Sequence, residues 1–441
     1  MAVLSRACVR LRRKAKRGMM SPACLLAVHL LLLVLQKTTA LPELTCRFNQ
    51  HFLSVTGEKG NPNNDPDCQF QVIDNEFLDV IGSTPKLLDV GQARASQGPV
   101  YSREDNMIYY TTKRDPGGWS TRIEKIKFKT FQAGETPNEP ETFADGSPIA
   151  TGLAMHPNGS LLAAFQGVGG SKPTVGQIAL YNLTAATGQF NPFADNFCGS
   201  PFNSPHDLVV TQGGEVYFTD PAYAYAGGFK GRPVLTEAVY RVRKNGVVEV
   251  VATGLQRPKA IALTGNGKRI YISESAAWTG NVSENPKLDL SSFDSDLPHN
   301  IWSFDVSNGR LVNKQFFTTT VNFGGYGTLA PMSIKTDTSG RVYVATYQGV
   351  QVYSSSGSPI GVIKLQGVSA IGWGGKENDH MIILDEERVR AFKLGTCCGV
   401  VSSSWRLRAP SLSTFFMFFL VLVLSMLSLD PFEVRSPMVS M

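Results

Sequence analysis

Six residues carry the chemistry that this chain offers: Gln97, Thr151, His206, Lys259, Met332 and Ser369. They lie 54, 55, 53, 73 and 37 positions apart, and each opens the same kind of phrase. A small or polar residue begins an alternating apolar strand, a turn follows, and a second strand returns. His206-Asp207-Leu208-Val209-Val210 with Glu215-Val216-Tyr217-Phe218 is one copy; Lys259-Ala260-Ile261-Ala262-Leu263 with Ile270-Tyr271-Ile272 is the next. Imidazole and amine are the two titratable groups of the six. A lysine buried without a carboxylate has a lowered pKa and can act as base or nucleophile; one that stays charged can polarise a carbonyl. Asn203, just upstream of His206, is placed to hydrogen-bond in the same pocket.

Repeats of this length mark propellers or solenoids. Further strand pairs lie between the hairpins, punctuated by Asn245-Gly246, Asn308-Gly309 and Ser356-Gly357. Four strands per period without an amphipathic helix predict an all-β fold, a six-bladed β-propeller. The last repeat supplies three strands, so a strand from before the first hairpin, Lys86 to Val90, is expected to close the ring and remove two free edges. The first strand of each hairpin is then innermost, and the six opening residues converge at one end of the channel. The connections 112–121, 166–176, 220–236 and 276–300 emerge at that face and wall a pocket. Glu274 lies near the same mouth, where pairing with Lys259 would compete with a free lysine.

Composition bounds the rest. Residues 1–40 hold eight Lys/Arg and no acid, and the tail from Thr396 holds three Arg against two acids; out of a whole-chain +6, residues 41–395 are left at −3. That body gives no electrostatic support for nucleic acid. Residues 1–40 read as a secretory signal peptide, with a basic stretch, an apolar run and Thr38-Thr39-Ala40. Residues 41–68 form an N-terminal arm, 69–395 the propeller, and 396–441 a tail with a hydrophobic segment at 413–429. That segment fits a removed lipid-anchor signal, a single-pass span or an erroneous terminal exon, so membrane attachment through the tail stays open. The expected location is the secretory pathway, extracellular or at the cell surface. N-x-S/T triplets at Asn158, Asn182 and Asn281 suit glycosylation on that route. A Cys46–Cys68 bridge would staple the arm, and Cys198 is expected as a buried free thiol.

Phe202-Asn203-Ser204-Pro205-His206-Asp207 with Val216-Tyr217-Phe218-Thr219-Asp220-Pro221 resembles a signature of the senescence marker protein/gluconolactonase family. Arg257-Pro258-Lys259-Ala260 and the run from Asp337 to Gly361 extend the match. Phe70-Gln71-Val72-Ile73-Asp74 through Gly82 is similar to the arm of fungal-type lactonohydrolases. The resemblance implies a six-bladed propeller that hydrolyses lactones or related esters around a channel cation, usually calcium. It implies a Glu ligand on the first hairpin, Asn on the third and fourth, and Asp on the fifth. Here those positions hold Gln97, His206, Lys259 and Met332. A lysine at 4 Å repels each unit of cation charge by about 4 kcal/mol at an effective dielectric near 20. The expectation is therefore no family-type calcium cofactor. Three readings remain: a lactone or ester hydrolase in which Lys259 replaces the metal and His206 is the base; a metal-free enzyme similar to the strictosidine-synthase-like propellers, which use carboxylate or other side-chain chemistry; or a non-catalytic propeller that binds a small molecule or protein.

Overall fold

The computed structural model describes residues 45–47 and 69–395, apart from 116–117, 132–134, 185–187, 279–292, 324–327 and 386. The chain divides after Val401 into two units, and every described residue belongs to the first. The leader, Cys68, the side chain of Cys46, Asn281 and segment 413–429 lie outside the described residues, and with them the expected signal peptide, disulfide and hydrophobic tail.

Among the described residues, six blades with antiparallel inner strands follow one another along the chain. The first four run in order from the inner strand outward, starting at Ala95–Ser102, Ala150–Met155, Leu208–Val210 and Pro258–Leu263. The fifth starts at Ser333–Thr336 and the sixth at Ala370–Gly374. The second strands Leu161–Phe165, Val216–Asp220 and Val342–Thr346 are buried at every residue, because a blade is covered on both faces. Each junction between neighbouring blades holds an apolar cluster. Leu162, Ala164 and Ile178 meet Leu208, Val216 and Phe218, and Ala260 and Tyr271 meet Ile334 and Val344. Each fully buried aliphatic side chain there contributes about 1.5–3 kcal/mol.

The ring closes as the short sixth repeat requires. Leu87–Gln92 pairs antiparallel with Arg388–Lys393, as the fourth strand of that blade. Asp89 accepts from Arg388 Nη1 at 3.0 Å and Arg390 Nη1 at 2.7 Å, so charge also fixes the register. Ahead of it, Phe70–Val72 adds to the outer strand Pro359–Lys364 of blade five, and Thr45–Arg47 pairs parallel with Phe70–Val72. The helix Glu76–Ile81 buries Phe77, Val80 and Ile81 against this blade. Its Phe77 ring occupies the space a side chain at Gly361 would need.

A belt of buried hydroxyls binds the blades around the channel. Thr111 Oγ1 of blade one donates to the Thr151 carbonyl of blade two at 3.0 Å, and Thr151 Oγ1 donates to the His206 carbonyl of blade three at 2.7 Å. Thr219 Oγ1 reaches the Lys259 carbonyl at 2.7 Å, Ser275 Oγ the Pro331 carbonyl at 3.0 Å, and Ser333 Oγ the Ile371 carbonyl at 3.4 Å. At the remaining junction Gly372 lies against the Pro99 carbonyl, where a β-carbon would come within 2.2 Å.

Replacing Thr219 by Val keeps the shape and leaves the buried Lys259 carbonyl without that donor. A stability loss of about 1–3 kcal/mol is expected, read as a lower denaturation midpoint at unchanged m-value. No loss would show that the belt contributes nothing to cohesion.

Candidate functional site at the channel mouth

Four of the six opening residues come together. Thr151, His206, Lys259 and Met332 are 6%, 4%, 1% and 5% exposed. Lys259 Nζ donates to Met332 Sδ at 3.2 Å. It also lies 4.8 Å from the ring centre of Trp278 and 5.9 Å from that of Tyr223. The His206 ring meets Tyr223 edge-on at 5.1 Å. Gly152 permits the close approach between blades two and three, since a β-carbon there would fall 2.8 Å from the His206 carbonyl oxygen. Gln97 and Ser369 open the remaining inner strands half-buried. The Gln97 carbonyl accepts from Thr111 Oγ1, and Ser369 Oγ donates within its own blade to Leu384.

Burial dominates the electrostatics. It pushes the Lys259 amine down to about 7, against the opposing pull of Asp207. Burial, with the Lys259 charge second, holds the His206 imidazole well below its ordinary value, so it is neutral at physiological pH. The acids that might neutralise Lys259 are committed elsewhere. Glu274 Oε2 accepts from Trp302 Nε1 at 2.7 Å and Oε1 from the Gln256 amide at 3.0 Å, so the expected rival pairing is absent. Asp207 takes the Leu208 amide at 2.9 Å and the Ile261 amide at 3.0 Å, joining blades three and four.

The loop 220–236 forms the roof. Its short helix Tyr223–Ala226, which the sequence pattern did not reveal, sets Tyr223 over the lysine. Asp220 accepts the Asn203 and Ser204 amides at 2.9 and 2.7 Å, and burial pushes its carboxyl up to about 7. It is thus a buried anchor as well as a strand end. Lys230 Nζ donates to the carbonyls of Gln166, Phe202 and Asn203 at 3.2, 2.8 and 2.6 Å, latching the roof to blades two and three. Phe229 packs under Trp119, with ring centres 5.0 Å apart, and the Arg114 guanidinium covers Trp119 at 4.4 Å. Asn203 is 5% exposed, and both ends of its side-chain amide lack a hydrogen-bond partner, as does His206 Nδ1.

These donors do not suit a family-type calcium ion. Hard cations take oxygen ligands, carboxylates above all. The ring presents an amine, a thioether, an imidazole and two aromatic faces, and its hydroxyl Thr151 Oγ1 is spent on a carbonyl. Among the described residues no three His, Cys, Asp or Glu side chains are grouped to hold a metal.

Two expectations about surface residues meet the structure differently. Cys198 is exposed, not buried. It sits with Gly199 at the tip of the hairpin joining Asn196–Phe197 to Ser200–Pro201, and its φ of 50° and that of Gly199, 83°, make the two-residue turn that the strand twist favours. Asn158 and Asn182 are exposed, and their side-chain oxygens accept the amides of Ser160 and Thr184, each at 3.0 Å.

Residues 95–280 match the family model described as the SMP-30/Gluconolactonase/LRE-like region. The chain is similar to a gluconolactonase of Zymomonas mobilis, 25% identical over 299 residues, covering 65% of this chain and 74% of that protein. It is also similar to the lactonohydrolase oryL of Aspergillus oryzae, 26% identical over 317 residues, covering 68% of this chain and 67% of that one. A solved gluconolactonase from Xanthomonas campestris shares the fold with a TM-score of 0.56 at 20% identity, covering 73% of this chain and 94% of its own.

Lysine burial makes a prediction about stability. With a folded pKa of about 7 against about 10.5 unfolded, the unfolded chain binds more protons between those values. Stability therefore rises with pH through that window, and the penalty is complete below pH 7. At neutral pH it is on the order of 3–5 kcal/mol. Lys259→Met should raise the melting temperature by several degrees near pH 6.5, with the gain shrinking toward pH 10. A variant less stable than wild type at pH 6.5 would contradict the burial penalty.

Proposed function

We propose that the chain, whose residues 95–280 match the SMP-30/Gluconolactonase/LRE-like region, hydrolyses a lactone or related ester at its channel mouth, with Lys259 in place of a divalent cation. One observation carries this reading: Lys259 opens the inner strand of blade four at the converging end of the channel, buried and without a carboxylate partner. A substrate carbonyl would be polarised by the ammonium, whose field is strong because the surroundings are dry. Neutral His206, with its Nδ1 unpartnered, takes the proton of a water as the water oxygen bonds to the carbonyl carbon. The oxyanion collapses, the ring C–O bond breaks, and His206 returns the proton to the departing alkoxide. Lactone and water become a hydroxy acid, with no net change in the protein. The roof pinned by Lys230 keeps bulk water from competing.

A second reading, a propeller that binds its ligand without turnover, is favoured by the near-complete burial of Lys259 under Tyr223 and Trp278. For either reading we propose a secretory route and glycosylation, supported by the basic-apolar leader and by the exposure of Asn158 and Asn182.

Hydrolysis of a six-membered sugar lactone, followed by acid release, should persist in a chelator. Lys259→Met should lower kcat/KM by about two to three orders of magnitude, the range for losing one oxyanion-stabilising donor. The wild-type rate should fall as pH rises above about 7, where the ammonium is lost, while His206 stays neutral. Unchanged turnover in Lys259→Met, or its abolition by chelator, would end this mechanism. Turnover absent in wild type would leave the binding reading.

A further inference from the structure

We propose that the buried Lys259 amine at the channel mouth is a carboxylate site for a small hydroxy acid. This deepens the reading of the same site by naming what the lysine holds, and its test reads binding rather than turnover.

The first ground is the fate of the surrounding charges. Glu274, Asp207, Asp220 and Glu237 each accept backbone amides, and Glu237 holds those of Ala222 and Arg257 at 2.8 and 3.0 Å. Lys259 is left with a thioether, a poor acceptor, and two aromatic faces. An ammonium in such surroundings lacks a charged acceptor, and a ligand carboxylate supplies one.

The second ground is the orphaned polar groups. His206 Nδ1 and both ends of the Asn203 amide are buried without partners, on the segment that leads into blade three. Native proteins leave few such groups unpaired, and these stand three residues apart on one buried segment beside Lys259's neighbour Tyr223, which meets the His206 ring. A carboxylate satisfies donors; an adjacent hydroxyl can serve an amide oxygen or an imidazole nitrogen. A neutral carbonyl would leave the ammonium without its counter-charge.

The third ground is the coupling of charge to binding. The titratable groups facing Lys259 are His206, Asp207 and the Tyr223 phenol, while Glu274 is turned to Trp302 and Gln256. With His206 neutral and Asp207 committed to amides, an arriving anion acts on the lysine, stabilises its ammonium and draws a proton from solvent. The hydroxy acid released by lactone opening is such an anion, so the site would hold its own product.

Calorimetry on the full chain tests this with lactate and gluconate against lactamide and gluconamide, their neutral counterparts. Each acid should bind at least about tenfold tighter than its amide at pH 6.5. Its affinity should fall about tenfold per pH unit above the lysine's pKa, the limit for uptake of one proton. At pH 8 the heat should vary with the buffer's ionisation enthalpy. Lys259→Met should erase the preference. So should Asn203→Asp, which places a competing carboxylate on the same segment; each variant's fold is checked by thermal unfolding. Equal binding of acids and amides, binding of none of the four, or a preference that survives both substitutions overturns the inference. Lactone turnover without acid preference would remove only this inference; acid preference without turnover would remove only the hydrolysis.

Discussion

A threonine or serine hydroxyl reaching the next blade's inner backbone is the contact on which the rest of this molecule depends. Thr111, Thr151, Thr219, Ser275 and Ser333 make it at five successive junctions. Apolar packing between blades is larger in energy but has no direction. The hydroxyl belt supplies direction close to the channel, where sliding of one blade on another would misplace the ring residues. It fixes the carbonyls of Thr151, His206 and Lys259, and so positions the start of the side chains that converge at the mouth.

On that frame the site is defined by what surrounds a single amine. The roof residues Tyr223 and Phe229 and the insertion residue Trp278 exclude water. Nearby acids are tied to backbone amides. The lysine is consequently costly to bury in its charged form. A divalent ion in the same place would meet repulsion instead of oxygen ligands.

Much of this was legible in sequence. Apolar alternation at Leu208–Val210 and Ile261–Leu263, with glycine turns between strands, gave the blades; the short sixth repeat pointed to an N-terminal closing strand, found at Leu87–Gln92. The convergence of His206, Lys259 and Met332 followed from their shared place in the repeat. The loops 220–236 and 276–300 were expected to wall the pocket, and Tyr223 and Trp278 from them do meet Lys259; how each loop folds to bring them there was not legible, because the loops have no period. Nothing in Pro221-Ala222-Tyr223 announces a roof helix, and Trp278 reads simply as the start of an insertion. Glu274 looked like a partner for Lys259 until its carboxylate was seen to reach Trp302. Cys198 looked like a core thiol, since cysteine is usually buried, but a two-residue turn places it outside. The buried hydroxyl belt had a faint signal: Thr111 and Thr219 stand near the mouth ends of second strands, and Ser275 directly follows one.

The proposed role of Lys259, an ammonium at the channel mouth in place of the cation that the sequence resemblance implies, is tested most directly by metal content. Purified chain, dialysed against calcium and then against metal-free buffer, should retain well under one calcium per chain, and Lys259→Asp should retain more than wild type. Stoichiometric calcium in the wild-type chain, located at the channel mouth, would contradict the claim.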